Sequence, residues 1–241
     1  MPRANRYFLP GHVWHITHRC HQKEFLLKFA KDRNRWLFWL FEAKKRYGLC
    51  ILNYVVTSNH IHLLVKDSGN NAIVRSMQLV EGRVAQEYNQ RKKRKGAFWE
   101  DRYHATVIAA DEHLSRCLTY IDLNMVRAGV VEHPMDWDAS GYAELFSSRQ
   151  RYNLIDRKSL QKTLGIDNLE QLRAERLLWV EDALRTSSMN RDSRWSEGVA
   201  VGRESFVTKV KADLEVGPHG PKVRCCDGDF ILKEEGASYN P

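Results

Sequence analysis

Ser58-Asn59-His60-Ile61-His62-Leu63-Leu64-Val65 sets two imidazoles two residues apart among apolar neighbours. Side chains of a strand alternate between faces, so His60 and His62 share one face while Ile61, Leu63 and Val65 take the other. Two imidazoles on one face can share a metal ion. The same pattern also describes two histidines on a half-exposed strand, so a third ligand and a reactive group are needed. Farther along, Arg116, Tyr120, Asn124 and Arg127 step by four, four and three, which on a helix is one polar face. Leu114, Cys117, Leu118, Ile121 and Met125 form the apolar stripe of that helix. Tyr120 therefore stands beside Asn124, whose carboxamide oxygen could complete a metal site begun by the histidines. A phenol of pKa about 10 is a poor nucleophile unless a base, cation or metal assists it. A metal that polarises a phosphate, with arginines nearby, would supply that assistance. An ordinary amphipathic helix would carry the same residues.

The elements that must position these groups follow from periodicity. His12 to Arg19 and Leu49 to Val56 read as strands rich in β-branched and aromatic residues, and His60 to Lys66 as the strand returning from the Thr57-Ser58-Asn59 turn. Phe29, Trp36, Leu40, Ala43 and Tyr47 recur at helical spacing, and Gly48 stops that helix. A second helix is expected from about Asn71 to Asn89, with Ile73, Met77, Val80, Val84 and Tyr88 on one face. Arg91-Lys92-Lys93-Arg94-Lys95-Gly96 reads as a basic loop, followed by a strand from about Tyr103 to Ala109. Asp111 then caps a helix reaching roughly Val126. This β-α-β-β-α-β-α order predicts an α+β fold, a ferredoxin-like antiparallel sheet with packed helices. After about residue 150 the pattern changes. Short helices are expected around Leu160, from Asn168 to Arg185 and from Val201 to Leu214, with a hairpin over Val223 to Leu232 turning at Asp227-Gly228. The expected division is a domain over 1–150 and a mostly helical C-terminal extension over 151–241.

Charge is localised. Residues 1–100 carry 19 Lys and Arg against 7 Asp and Glu, whereas residues 151–241 carry 15 against 15. A basic field confined to one region suggests a polyanion-binding face. Arg91, Lys92, Lys93, Arg94 and Lys95 could track phosphates, with Phe98 and Trp99 stacking unpaired bases or simply buried. Arg3 and Arg6 could reach DNA as an arm, and Arg116 and Arg127 from the tyrosine helix. His12, His15, His18 and His21 recur every three residues, which on a strand alternates faces and argues against a four-histidine metal site. Five cysteines without a CxxC pair fit a reducing cytoplasm, and for a DNA-binding chain a nucleoid-associated one. No apolar run approaches the ~20 residues of a membrane helix, and no Walker sequence implies a nucleotide cofactor.

Asn53 to Val65, with His60-Ile61-His62 at its centre, resembles the HUH motif of single-tyrosine transposases. Tyr120-Ile121-Asp122-Leu123-Asn124-Met125-Val126-Arg127-Ala128-Gly129 resembles their tyrosine helix. Trp99-Glu100-Asp101-Arg102-Tyr103 before it, and His133-Pro134, Trp137 and Ser140-Gly141-Tyr142 after it, extend the likeness to roughly residues 7–148. The chain is most similar to REP-associated tyrosine transposases. It departs from many of them in having Arg19-Cys20-His21 in place of Arg-Gly-Asn, and Met125 in place of Pro.

The resemblance implies an HUH nuclease core with His60, His62 and Asn124 as ligands of Mg²⁺ or Mn²⁺ and Tyr120 as the nucleophile. It implies attack on a single-stranded DNA phosphodiester, a 5′-phosphotyrosine intermediate and strand transfer, at hairpin-forming palindromic repeats, by a monomer or homodimer. The alternative is a regulator that binds hairpin DNA or RNA on the same fold without cleaving it.

Overall fold

The computed structural model describes residues 8–147, 151–186, 192–214, 220–226 and 228–234. Arg3, Arg6 and Asp227 lie outside them. Strands β1 (Val13–Arg19), β2 (Cys50–Val56), β3 (His60–Lys66) and β4 (His104–Ile108) form the expected core, ordered β2-β3-β1-β4 with every pairing antiparallel. Helices α1 (Ala30–Tyr47) and α2 (Ala72–Lys92) connect them. Their apolar stripes, Trp36, Leu40 and Ala43 with Ile73, Met77 and Val80, are buried with Ile16, Ile61, Leu63 and Val65 of the sheet. This is the side of the sheet opposite His60 and His62, because alternation along β3 separates the two sets. Gly48 ends α1 with a left-handed φ of 66°, a conformation that costs glycine little.

Arg91 and Lys92, expected in a loop, instead complete α2, and the left-handed turn comes at Lys93 with φ 50°. The helix expected to reach Val126 is interrupted at Leu123. It becomes α3 (Glu112–Asp122), capped by the Asp111 side chain, and the short α4 (Asn124–Arg127). At the interruption the Tyr120 carbonyl accepts a hydrogen bond from Arg127 Nη2 at 2.8 Å. Helix α5 (Gly141–Phe146) follows, and Gly141 is required there because a Cβ would lie 2.2 Å from Asn53 Oδ1.

The later residues form α6 (Arg157–Leu164), α7 (Leu169–Arg185), α8 (Arg194–Glu197), β5 (Ala200–Gly202), α9 (Glu204–Asp213) and the hairpin β6 (Lys222–Cys226) and β7 (Asp229–Lys233). They include the expected helices and hairpin, but Val201 and Gly202, expected to open a helix, belong to a strand. β5 pairs parallel with β4 and antiparallel with β7, so the sheet continues as β2-β3-β1-β4-β5-β7-β6. The free edge of β4, a row of unpaired backbone groups that a four-stranded core would expose, is covered by the chain's own later residues. Across the layers, Arg176 of α7 forms an ion pair with Asp122 of α3, both side chains being essentially inaccessible, and Asn53 Nδ2 donates to the same carboxylate at 2.8 Å.

Candidate active site

The register of the sheet assembles the site. Thr17 lies opposite His62 and Arg19 opposite His60 across β1–β3, so His15, Thr17 and Arg19 share the histidine face. Helices α3 and α4 cross this face and bring Tyr120 and Asn124 to the imidazoles. Asn124 Nδ2 lies 2.9 Å from His62 Nε2, and the Tyr120 and His62 rings meet edge to face with centroids 5.8 Å apart. The His60 and His62 rings are 5.0 Å apart and nearly perpendicular. The four residues singled out from the sequence thus converge.

The remaining predicted residues have different surroundings. Arg127 lies with its guanidinium carbon 4.0 Å from the centroid of the Tyr120 ring, close to the phenol it would support. Arg116 turns to Asp229 of the terminal hairpin at 3.0 Å. Arg91 pairs with Asp32 of α1, and Arg94 with Glu24 at 3.0 Å, so part of the basic run ties the fold together, while Lys93 and Lys95 are exposed. Phe98 is buried in the core, and Trp99 stacks on His18 at 4.4 Å with its indole N–H donating to the Glu81 carbonyl. Both aromatics are structural in this arrangement.

His15 is the residue that sequence reasoning missed. Its Nε2 lies 2.9 Å from His62 Nδ1 and its Nδ1 lies 2.8 Å from the Trp195 carbonyl oxygen. The two rings are nearly parallel, 13° apart. Period-two alternation was the available signal: it sets His15 with Thr17 and Arg19, but only the β1–β3 pairing sets it against His62. Trp195 gave no signal at all. It arrives from the later residues, its indole 6.3 Å from the Tyr120 ring, and the backbone around it is held by His104 Nε2 at 2.9 Å and Thr106 Oγ1 at 2.6 Å from the Gly198 carbonyl.

Burial dominates the electrostatics. Desolvation pushes the pKa of His15 from 6.5 down to about 3 and that of His62 well below 6.5, with neighbouring imidazoles and Arg127 adding to the second shift. Both rings are therefore neutral near pH 7. A pKa lowered on folding means that the unfolded chain binds more protons below pH 6.5, so stability is intact above 6.5 and falls with pH between 6.5 and the folded value. In chelator, the unfolding free energy should drop by about 2 kcal/mol on account of His15 between pH 7 and pH 5, with His62 acting in the same direction. Urea titrations across that range check this. A flat profile would show that neither ring is buried neutral.

The Nδ1 atoms of both proposed ligands are tied back. His60 Nδ1 lies 2.8 Å from Asn59 Oδ1 and 3.0 Å from Thr57 Oγ1, and His62 Nδ1 faces His15. Each ring then presents Nε2, and together with the Asn124 carboxamide this nitrogen–oxygen set suits a divalent transition ion. A second cluster, Asp111, Glu112 and His113 at the start of α3, brings one ligand atom from each residue within 4.8 Å of the others and also fits a divalent metal. Those atoms already have partners: His113 bonds Asp111 at 2.6 Å and Asp229 at 2.9 Å, and Glu112 bonds Arg203 at 3.0 Å. An ion there would have to displace them.

Fold and site together define a mixed α+β protein in which a helix presents a tyrosine and an asparagine to two histidines of an antiparallel sheet. Residues 10–124 match the family model of IS200-like transposases, so this part of the chain is similar to enzymes of DNA transposition. Among solved structures, the chain is similar to a REP-associated tyrosine transposase bound to a REP hairpin, at 18% identity and a TM-score of 0.51, over 65% of this chain and 94% of that one. The fold is that of this transposase. A putative transposase from Deinococcus radiodurans R1 aligns at 14% identity and a TM-score of 0.34, over 43% of this chain and 83% of that one, a likeness too slight to build on. A comparison with curated proteins finds no match. No helix among the described residues is long and apolar enough to cross a membrane.

Proposed function

We propose that the chain is a metal-dependent single-strand DNA endonuclease and strand transferase acting at hairpin-forming repeats. The observation that carries this reading is the contact of Tyr120 and Asn124 with His62, whose ring lies beside that of His60. The Tyr120 hydroxyl loses its proton and its oxygen attacks the phosphorus of a single-stranded phosphodiester. The P–O3′ bond breaks, leaving a 5′-phosphotyrosine and a free 3′-hydroxyl. Attack by a 3′-hydroxyl on the phosphotyrosine reverses the exchange and rejoins a strand, so the bond energy is conserved without ATP. His60, His62 and Asn124 would hold a Mg²⁺ or Mn²⁺ ion, which when bound polarises the phosphate and stabilises charge in the transition state. Arg127, beside the Tyr120 ring, supports the same charge.

The hairpin substrate is supported by the similar structure, which is bound to a REP hairpin, and by the basic surplus of residues 1–100. Lys92, Lys93 and Lys95 are the members of the run best placed to meet phosphates, since Arg91 and Arg94 are engaged within the fold. Residues 1–150 supply the chemical groups in this reading, and Trp195 of the later residues packs beside Tyr120.

Incubation with a hairpin oligonucleotide and Mn²⁺ should yield a covalent protein–DNA adduct on a denaturing gel. Two imidazoles favour Mn²⁺ over Mg²⁺. Chelator, His60→Ala and His62→Ala should each stop adduct formation. Hairpin binding with no adduct under any metal would instead identify a non-cleaving regulator. Full activity in excess chelator would remove the metal from the scheme.

A further inference from the structure

We infer that His15 is a positioning residue that sets the tautomer of His62, and that the Trp195 carbonyl, from the later third of the chain, sets the tautomer of His15. This rests on the reading of His62 as a metal ligand given above.

Hydrogen-bond polarity dictates the relay. A carbonyl oxygen only accepts, so His15 Nδ1, 2.8 Å from the Trp195 oxygen, carries its ring's proton. In a neutral imidazole the other nitrogen then carries a lone pair, so His15 Nε2 accepts from His62 Nδ1 at 2.9 Å. The proton of His62 is thereby fixed on Nδ1, and the lone pair on Nε2 points at the Asn124 carboxamide, 2.9 Å away. The opposite tautomer would set two lone pairs against each other inside a fully buried pair, leaving polar groups unsatisfied where water cannot reach. Metal-binding imidazoles depend on such partners for ring orientation and basicity. Here the partner is another histidine, anchored by a backbone group over 130 residues beyond the HUH motif. The anchor is closely packed and tethered. A Cβ at Gly198 would lie 2.8 Å from the Arg194 carbonyl, and the Gly198 carbonyl is held by His104 and Thr106. The later residues therefore take part in building the ligand set as well as the sheet.

The test is a ¹⁵N spectrum of the histidine rings in the full metal-free chain, together with Mn²⁺ titrations followed by electron paramagnetic resonance. In the wild type, His62 should be protonated on Nδ1 and show scalar coupling across the hydrogen bond to His15 Nε2. His62 protonated on Nε2 would overturn the relay outright. His15→Phe keeps the ring volume but removes acceptor and donor, and should weaken Mn²⁺ binding by about 10–100-fold while hairpin affinity in chelator stays unchanged. His15→Gln, which restores one acceptor and one donor, should return most of that loss. Unchanged Mn²⁺ affinity in a folded His15→Phe would refute the positioning role. If His15→Phe fails to fold, the wild-type spectrum and His15→Gln still decide. If the wild type neither binds Mn²⁺ nor forms the adduct, the proposed function fails, and the spectrum alone judges the relay.

Discussion

Tyr120→Phe should abolish the covalent adduct while leaving hairpin binding near wild type. The substitution deletes the phenolic oxygen and keeps the ring that packs with Arg127, Trp195 and His62. Without that oxygen no 5′-phosphotyrosine can form, so the expected loss is complete, limited only by detection. Gel quantification of the adduct and a binding titration in chelator measure the two halves separately. Persisting adduct would move the nucleophile to another tyrosine, with Tyr103 and Tyr142 the nearest in sequence, and would remove α3 from the chemistry. A loss of binding in parallel with cleavage would mean that the ring supports DNA contact as well.

Arg176→Met should destabilise the protein by about 3–5 kcal/mol near pH 7, because it leaves the Asp122 carboxylate buried without its cation. Burial already pushes the Asp122 pKa up, against the opposing pull of Arg176 and Asn53. With the guanidinium gone, the folded state retains the neutral acid to still higher pH. The penalty at pH 7 is then the cost of protonating or burying the carboxylate, and it should shrink as the pH falls toward the range where the unfolded chain also binds that proton. Urea denaturation at pH 7 and pH 5 checks magnitude and trend together. Asp122→Leu combined with Arg176→Met, which removes both charges, should recover much of the loss. A single-mutant loss below 1 kcal/mol would show that water reaches the pair. The position matters for function because Asp122 lies two residues from both Tyr120 and Asn124. The ion pair holds the tyrosine-bearing helix to α7, so later residues reach the site from this side too.

The spacing of side chains carried the local part of the site. Alternation along one strand put His60 and His62 on a common face, and steps of four along one helix put Tyr120 beside Asn124. Such periodicities are properties of a single element and survive without knowledge of its neighbours. The core strands and helices were legible for the same reason, since Trp36, Leu40 and Ala43, or Ile73, Met77 and Val80, mark buried faces by repetition alone. Where tertiary contact competes with periodicity, the sequence was a poorer guide. Arg127 bonds the Tyr120 carbonyl at the point where a continuous helix was expected to run on. Arg91 prolongs a helix because Asp32 awaits it, and Ala200–Gly202 is a strand because β4 offers it an edge.

Only the folded chain could set His15 against His62, because that contact depends on the register between two strands more than forty residues apart. The same holds for Trp195, whose contribution is a backbone carbonyl. Every residue has one, so no side-chain pattern can announce which carbonyl will be called upon. The sequence by itself determined which residues could do chemistry at phosphate. The tertiary structure decided which nitrogen of His62 carries the proton, and that decision lies with hydrogen-bond partners brought from far along the chain.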